Sequence, residues 1–180
     1  MTEKEINYVC KKYDIKNYTI NSDMSIDVDS NVYLYLANLH ELPLNFNRVN
    51  GIFDCGFNYL KSLKGAPNYL SSIFSCNSNE LESFQYCPES DTNAYFFQNN
   101  NIRTFDYFPN IKAGISLRYN PVDELWSLFK DQNHVEYFNE LDIIQEDGNA
   151  IILDRLNYFL QDIGKKEIYE DDIKKYKVII

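Results

Sequence analysis

Histidine, cysteine and closely spaced carboxylates are the side chains that bind metals, attack carbonyls or relay protons. This chain holds them in unpromising patterns. His40 and His134 are its two histidines. Neither has a ligand partner at i+3 or i+4, and a zinc centre needs three or four donors. His40 is expected in a turn just past a strand, and His134 near a helix start. The four cysteines, Cys10, Cys55, Cys76 and Cys87, match no zinc knuckle. Asp27 and Asp29 alternate on an expected strand, and Asp171 and Asp172 are adjacent on an expected helix. Carboxylates share acid and base work only where the fold brings them together. Asp23-x-Ser25-x-Asp27-x-Asp29 has the alternation of a calcium loop, but not its glycine or its terminal glutamate. No glycine-rich phosphate loop and no G-x-S-x-G elbow occurs. The sequence therefore points away from an enzyme, a metal or a cofactor.

Bulk properties narrow the class further. The 180 residues are 44% apolar, with 15 tyrosines and 12 phenylalanines, enough to bury a core. The net charge of −10 argues against direct nucleic-acid binding and against anionic lipid, since both need a basic patch. Met1–Asp14 is charged, so a secretory leader is not expected. No run of 18 apolar residues occurs. The cysteines then read as reduced thiols in a cytoplasm.

Internal repetition is the strongest signal. Phe53, Cys55, Asn58, Leu60, Leu63 and Pro67 recur 21 residues later as Phe74, Cys76, Asn79, Leu81, Phe84 and Pro88. A third copy runs Tyr95, Phe97, Asn100, Ile102, Phe105 and Pro109. Val32, Leu34, Leu39, Leu42 and Phe46 form a weaker upstream copy, with Ala37 in the asparagine position. Ile115, Leu117, Asn120, Val122 and Leu125 form a downstream copy after the loss of one residue. Each unit reads as a short strand with one face buried. An asparagine follows, whose amide bonds the backbone of neighbouring turns. Apolar residues then point back inside. Gly65-Ala66-Pro67, Cys87-Pro88 and Phe108-Pro109 mark the outer return. Cys55 and Cys76 become small buried hydrophobes.

The phrase Gly51–Pro67 has the form G-x-F-x-C-x-x-N-x-L-x-S-L-x-G-x-P. It resembles a leucine-rich-repeat family of tailed bacteriophages, and is similar also to bacterial effector-type leucine-rich repeats. Ile20–Asp29 resembles that family's leading strand pair. The resemblance covers roughly residues 15–125. Two departures are Glu89-Ser90-Asp91-Thr92 in place of an apolar return, and Phe97 in place of cysteine. The resemblance implies a cytoplasmic phage or phage-derived binding protein.

The expected fold is thus an α/β leucine-rich-repeat solenoid with short parallel strands in one curved sheet. An N-terminal helix and hairpin cap, residues 1–30, precedes about five turns over 31–125, and a C-terminal helical cap occupies 126–180. Thr2 and Glu5 form a capping box for a helix over Thr2–Tyr13, with Ile6, Val9, Cys10 and Tyr13 on one face. Tyr18–Asn21 and Ser25–Asp29 flank a hairpin turn. Past Pro121, helices are expected through about Lys130, over His134–Gln145 and over Ala150–Ile163. Gly164 acts as a stop. A fourth apolar stripe runs through Ile168, Tyr169, Ile173 and Tyr176, and Tyr176–Ile180 is expected to dock.

On such a solenoid the residues alternating with the buried ones face outward, on the concave side. These are Tyr33, Tyr35, Asp54, Gly56, Ser75, Asn77, Phe96, Gln98, Ser116 and Arg118. Tyr, Phe and Arg are types enriched at binding hot spots. Phe96 either serves a partner or packs under a helix or on Tyr33 and Tyr35. The expected function is a protein-binding module acting on a host or phage protein, for example by occluding a host defence component. An acidic decoy of a nucleic-acid-binding groove is one alternative. A structural or assembly component, including a homo-oligomer, is another.

Overall fold

The computed structural model describes residues 1–88, 94–111, 114–145 and 148–180. The departure at Glu89-Ser90-Asp91-Thr92 lies outside the described residues.

Thr2 opens the first helix, α1 (Glu3–Lys12), through the expected capping box. The Glu5 amide donates to the Thr2 hydroxyl at 3.4 Å, and the Glu5 carboxylate accepts the Thr2 amide at 2.7 Å. Acids in the first turn and lysines in the last suit the helix dipole. Ile6 and Cys10 are fully buried. Next come β1 (Tyr18–Ile20) and β2 (Ile26–Val28), an antiparallel hairpin.

From here the chain coils. β3 (Val32–Tyr33), β5 (Phe53–Asp54), β7 (Ile73–Ser75), β8 (Ala94–Phe96) and β9 (Gly114–Ser116) form one five-stranded parallel sheet in that order. The register aligns Val32, Phe53, Phe74, Tyr95 and Ile115, spacings of 21, 21, 21 and 20 residues. This is a parallel-strand solenoid. Five rungs enclose four complete circuits, one fewer than the five turns expected.

A second sheet was not expected. β4 (Phe46–Val49) and β6 (Tyr69–Leu70) extend β2 in parallel, giving the order β1-β2-β4-β6. The single curved sheet is thus a correction: each early circuit contributes a strand to two sheets. Phe46–Val49 does not alternate cleanly in polarity, so it gave no period-two signal.

The interior is built of columns. Phe53 and Phe74 stack with centroids 5.9 Å apart, and Tyr95 follows at 6.1 Å from Phe74. Each asparagine of the repeat holds two circuits together. Asn79 Oδ1 accepts the Leu60 amide, and its Nδ2 donates to the carbonyls of Cys55 and Cys76. Asn100 makes the same bonds to Leu81, Cys76 and Phe97. Asn120 makes them to Ile102, Phe97 and Leu117. Asn58 accepts from the amides of Ala37 and Leu39, so Ala37 is served by the ladder although it cannot extend it. All four amides are buried. The backbone polar groups that a sharp bend would strand in the core are satisfied this way.

Past the repeats, α2 (Asp123–Phe129) and α3 (Val135–Glu140) pack on the last circuit through Trp126, Phe129 and Phe138. Three expectations fail here. The helix over His134–Gln145 stops at Glu140, and Ile144 bridges Ile151. The stretch Ala150–Ile152 is not helical but a strand, β10, and α4 runs Leu153–Asp162. Residues 165–176 hold only a 3-10 turn at Glu170–Asp172. Ile151 and Ile152 are β-branched and serve a strand as readily as a helix face. The segment β11 (Lys177–Ile179) pairs in parallel with β10, so the C-terminal residues do dock. Gly164 ends α4 with φ +73. One continuous apolar cluster runs from Ile6 to Tyr176.

Candidate functional site

Strand alternation buries Val32, Phe53, Phe74 and Tyr95 and turns their neighbours outward. The first outward column is Tyr33, Asp54, Ser75, Phe96 and Ser116, directly in register. The second follows two residues on: Tyr35, Gly56, Asn77, Gln98 and Arg118. The structure therefore brings all the expected contact residues onto one face, in two adjacent columns.

Their surroundings differ along the columns. Tyr33, Tyr35 and Arg118 are exposed, whereas Asp54, Ser75, Asn77, Phe96, Gln98 and Ser116 are half-buried. Asp54 Oδ1 accepts the Gly56 amide at 2.9 Å, and the Ser75 hydroxyl donates to Asn77 Oδ1 at 2.9 Å. Gly56 is buried because Asn77 leans across it; a Cβ there would stand 2.8 Å from Asn77 Oδ1. Gln98 Oε1 is buried without a hydrogen-bond partner. Phe96 lies between Ser75 and Ser116. It is three rungs from Tyr33, about 14 Å at ordinary strand spacing, too far for their rings to meet.

A third column escaped the sequence reading. Leu36, Phe57, Ser78, Asn99 and Tyr119 each have φ between 54° and 64°. All stand immediately before the asparagine column or Ala37. The left-handed step swings the chain so that the next side chain points inward. Glycine and asparagine adopt it readily; a bulky residue loses about 1 kcal/mol. Leu36 and Phe57 accept that strain while pointing into solvent. The signal was an apolar residue just before the asparagine position, where the turn favours glycine or asparagine.

The three columns converge at the first two rungs. Tyr33, Tyr35, Leu36, Phe57 and Tyr59 are each 47–60% exposed. His40 stacks on Tyr59 with centroids 5.2 Å apart, and the Asn31 amide donates to the Tyr33 hydroxyl. The same columns carry Ser75, Asn77 and Ser78 in the third rung, half-buried Phe96 and Gln98 with Asn99 in the fourth, and Ser116, Arg118 and the exposed Tyr119 in the fifth.

No protein-family model, curated protein or solved structure matches this chain.

The residues first considered for chemistry make structural contacts. His134 pairs with Asp131 at 3.7 Å and sits edge-on to Phe159. Asp27 accepts from the amides of Asn21 and Asn47, and Asp172 accepts the Tyr169 amide. Burial pushes the Cys55 thiol far above its ordinary value, with the Asp54 charge adding to the effect. Burial raises Cys76 likewise, so neither offers a thiolate. Among the described residues no group of three or more histidines, cysteines or acids is placed to hold a metal ion. Among them, too, no helix is long and apolar enough to cross a membrane. A cleft of about 690 Å³ lies on the return side between Phe46, Pro67, Tyr86, Tyr107 and Pro109. Asp23 is the one carboxylate among its described lining residues.

Proposed function

We propose that this chain is a non-catalytic protein-binding module that engages its partner with the outward face of the five-stranded sheet. A single observation carries the reading. Large apolar and aromatic side chains stand exposed on that face, where the fold gains nothing from burying them. The leucine-rich-repeat identity is part of the proposal. The 21-residue period and the asparagine ladder support it, together with the resemblance of Gly51–Pro67 to the phage family. On the same basis the terminal segments, residues 1–30 and 126–180, are read as caps on the repeats of 31–125. The natural setting is taken as a host cytoplasm, with a host or phage protein as partner.

Affinity capture from bacterial lysate, with the wild-type chain beside Phe96→Ala and Arg118→Glu, tests the module. The reading expects a specific protein, lost with at least one variant. Recovery of the same proteins by all three, and by Tyr33→Ala as well, would count against this face. The charge of −10 favours one second reading, an acidic decoy of a nucleic-acid-binding groove. A captured nucleic-acid-binding protein released by moderate salt would support it. The assembly-component alternative predicts higher species on sizing chromatography.

A further inference from the structure

We infer that the contact centres on the first two rungs, at Tyr33, Tyr35, Leu36, Phe57 and Tyr59, and that it receives a basic polypeptide surface with aliphatic side chains at its middle. The inference rests on the protein-binding reading and adds where the contact lies and what chemistry it meets.

Three observations converge. First, exposure is concentrated: five large side chains, each about half exposed, occupy adjacent rungs, whereas the next two rungs carry Ser75, Asn77, Ser78 and Asn99 with half-buried Phe96 and Gln98, and exposed large side chains return at Arg118 and Tyr119 on the last rung. Second, large side chains are held in a strained backbone. Every residue of the turn column has a left-handed backbone; Ser78 and Asn99 occupy it with small polar side chains, whereas Leu36 and Phe57, on adjacent rungs, and Tyr119, alone on the last, carry large exposed ones. The fold would be served better by the smaller residues. An outlier that the fold does not need points to use by something outside it.

Third, charge selects the occupant. Asp54 lies directly beside Tyr33 in the sheet. Its Oδ1 accepts the Gly56 amide. No cation pairs with it among the described residues. A carboxylate among exposed tyrosine rings suits a guanidinium or ammonium group, which can lie over a ring face while bonding the oxygen. A second copy of this chain is disfavoured, since each brings a net charge of −10. Nucleic acid is disfavoured for the same reason. Leu36 and Phe57 supply the dry centre, and the carboxylate with its tyrosines supplies the rim that reads positive charge.

The test titrates two synthetic hexapeptides into the isotope-labelled full chain and follows NMR shifts residue by residue. One peptide alternates arginine and leucine, the other glutamate and leucine. The expected result is shifts at Tyr33, Tyr35, Leu36, Phe57 and Tyr59 with the arginine peptide and none with the glutamate peptide. Asp54→Asn and Phe57→Asn should each weaken binding about tenfold. Phe57→Asn relieves the left-handed strain, so it should melt no lower than wild type. Its loss of binding therefore cannot be ascribed to unfolding. Shifts centred on Phe96 and Arg118, equal binding of both peptides, or binding of neither would each overturn the inference. The module reading can survive that. A captured partner lost with Arg118→Glu and retained with Phe57→Asn would keep the module and move its centre.

Discussion

Between Val32 and Val122 the stacked rings and the asparagine bonds are made again one circuit later; in the two terminal segments the main contacts are made once. Phe74 touches Phe53 below it and Tyr95 above it. Asn79 bonds the circuit of Leu60 and its own. By contrast, the Asn157 side chain clamps both backbone groups of Ile168, and nothing else among the described residues repeats that clamp. Glu124 accepts the amides of Lys174 and Lys175 in a pairing equally solitary. Repetition spreads stability over nearest-neighbour interfaces, so the loss of one rung is felt on both sides. A solitary contact near the surface is open to replacement by water.

Thiol reactivity gives the widest contrast. Cys55 and Cys76 lie within the repeated interior, Cys10 is buried beneath a terminal helix, and Cys87 is half-exposed on a return turn. With an excess of thiol reagent at pH 8, Cys87 should react first. Cys10 should follow as the end of the chain opens, and Cys55 and Cys76 about a thousandfold more slowly than Cys87. Prompt reaction of Cys76 would show that the interior breathes as freely as the ends.

Asn79→Ala should be the most damaging polar substitution. It strands the Leu60 amide in a dry interior and leaves the carbonyls of Cys55 and Cys76 with one side-chain donor each, from Asn58 and Asn100. The expected loss is about 4 kcal/mol, read from denaturant unfolding. Asn157→Ala removes two hydrogen bonds, at a partly exposed clamp where water can enter. About 1 kcal/mol is expected, and a loss equal to that of Asn79→Ala would erase the distinction.

The smallest effect belongs to the capping box of α1. The backbone amide and hydroxyl of Thr2 hold the Glu5 carboxyl below its ordinary value of 4.5. Its stabilisation is therefore fully present above pH 4.5 and is lost as the pH falls through the lower folded value. The melting temperature of wild type should exceed that of Glu5→Gln slightly at pH 7. The two should converge under acid. A gap that widens under acid would have the wrong sign.

How much could be read in advance follows the same division. The register of the five rungs, the asparagine ladder and the inward cysteines were legible because 21-residue recurrence multiplies one weak local signal several times. The second sheet was not legible: β4 and β6 are short, and Tyr69–Leu70 has no alternation to detect. Ala150–Ile152 was misread as helix because its apolar residues continue the stripe of α4. The partner that makes it a strand, β11, lies more than twenty residues away. Of the candidate face, the two strand columns were legible from alternation. The turn column was not, since Leu36, Phe57 and Tyr119 are not the residue types that mark a left-handed φ, and only their place before the asparagine column hints at it.

The sequence alone determined the period, and with it which side chains stack inside and which alternate outward. Stacking identical units permits one register when a buried amide must reach the backbone of the circuit before it. Tertiary structure alone decided where the exposed aromatic residues gather. Tyr33, Tyr35, Leu36, Phe57 and Tyr59 span more than a full circuit of chain, and only coiling sets them side by side. It also decided the fate of the C-terminal segment, whose short apolar runs become strand or helix according to the neighbour that packs against them.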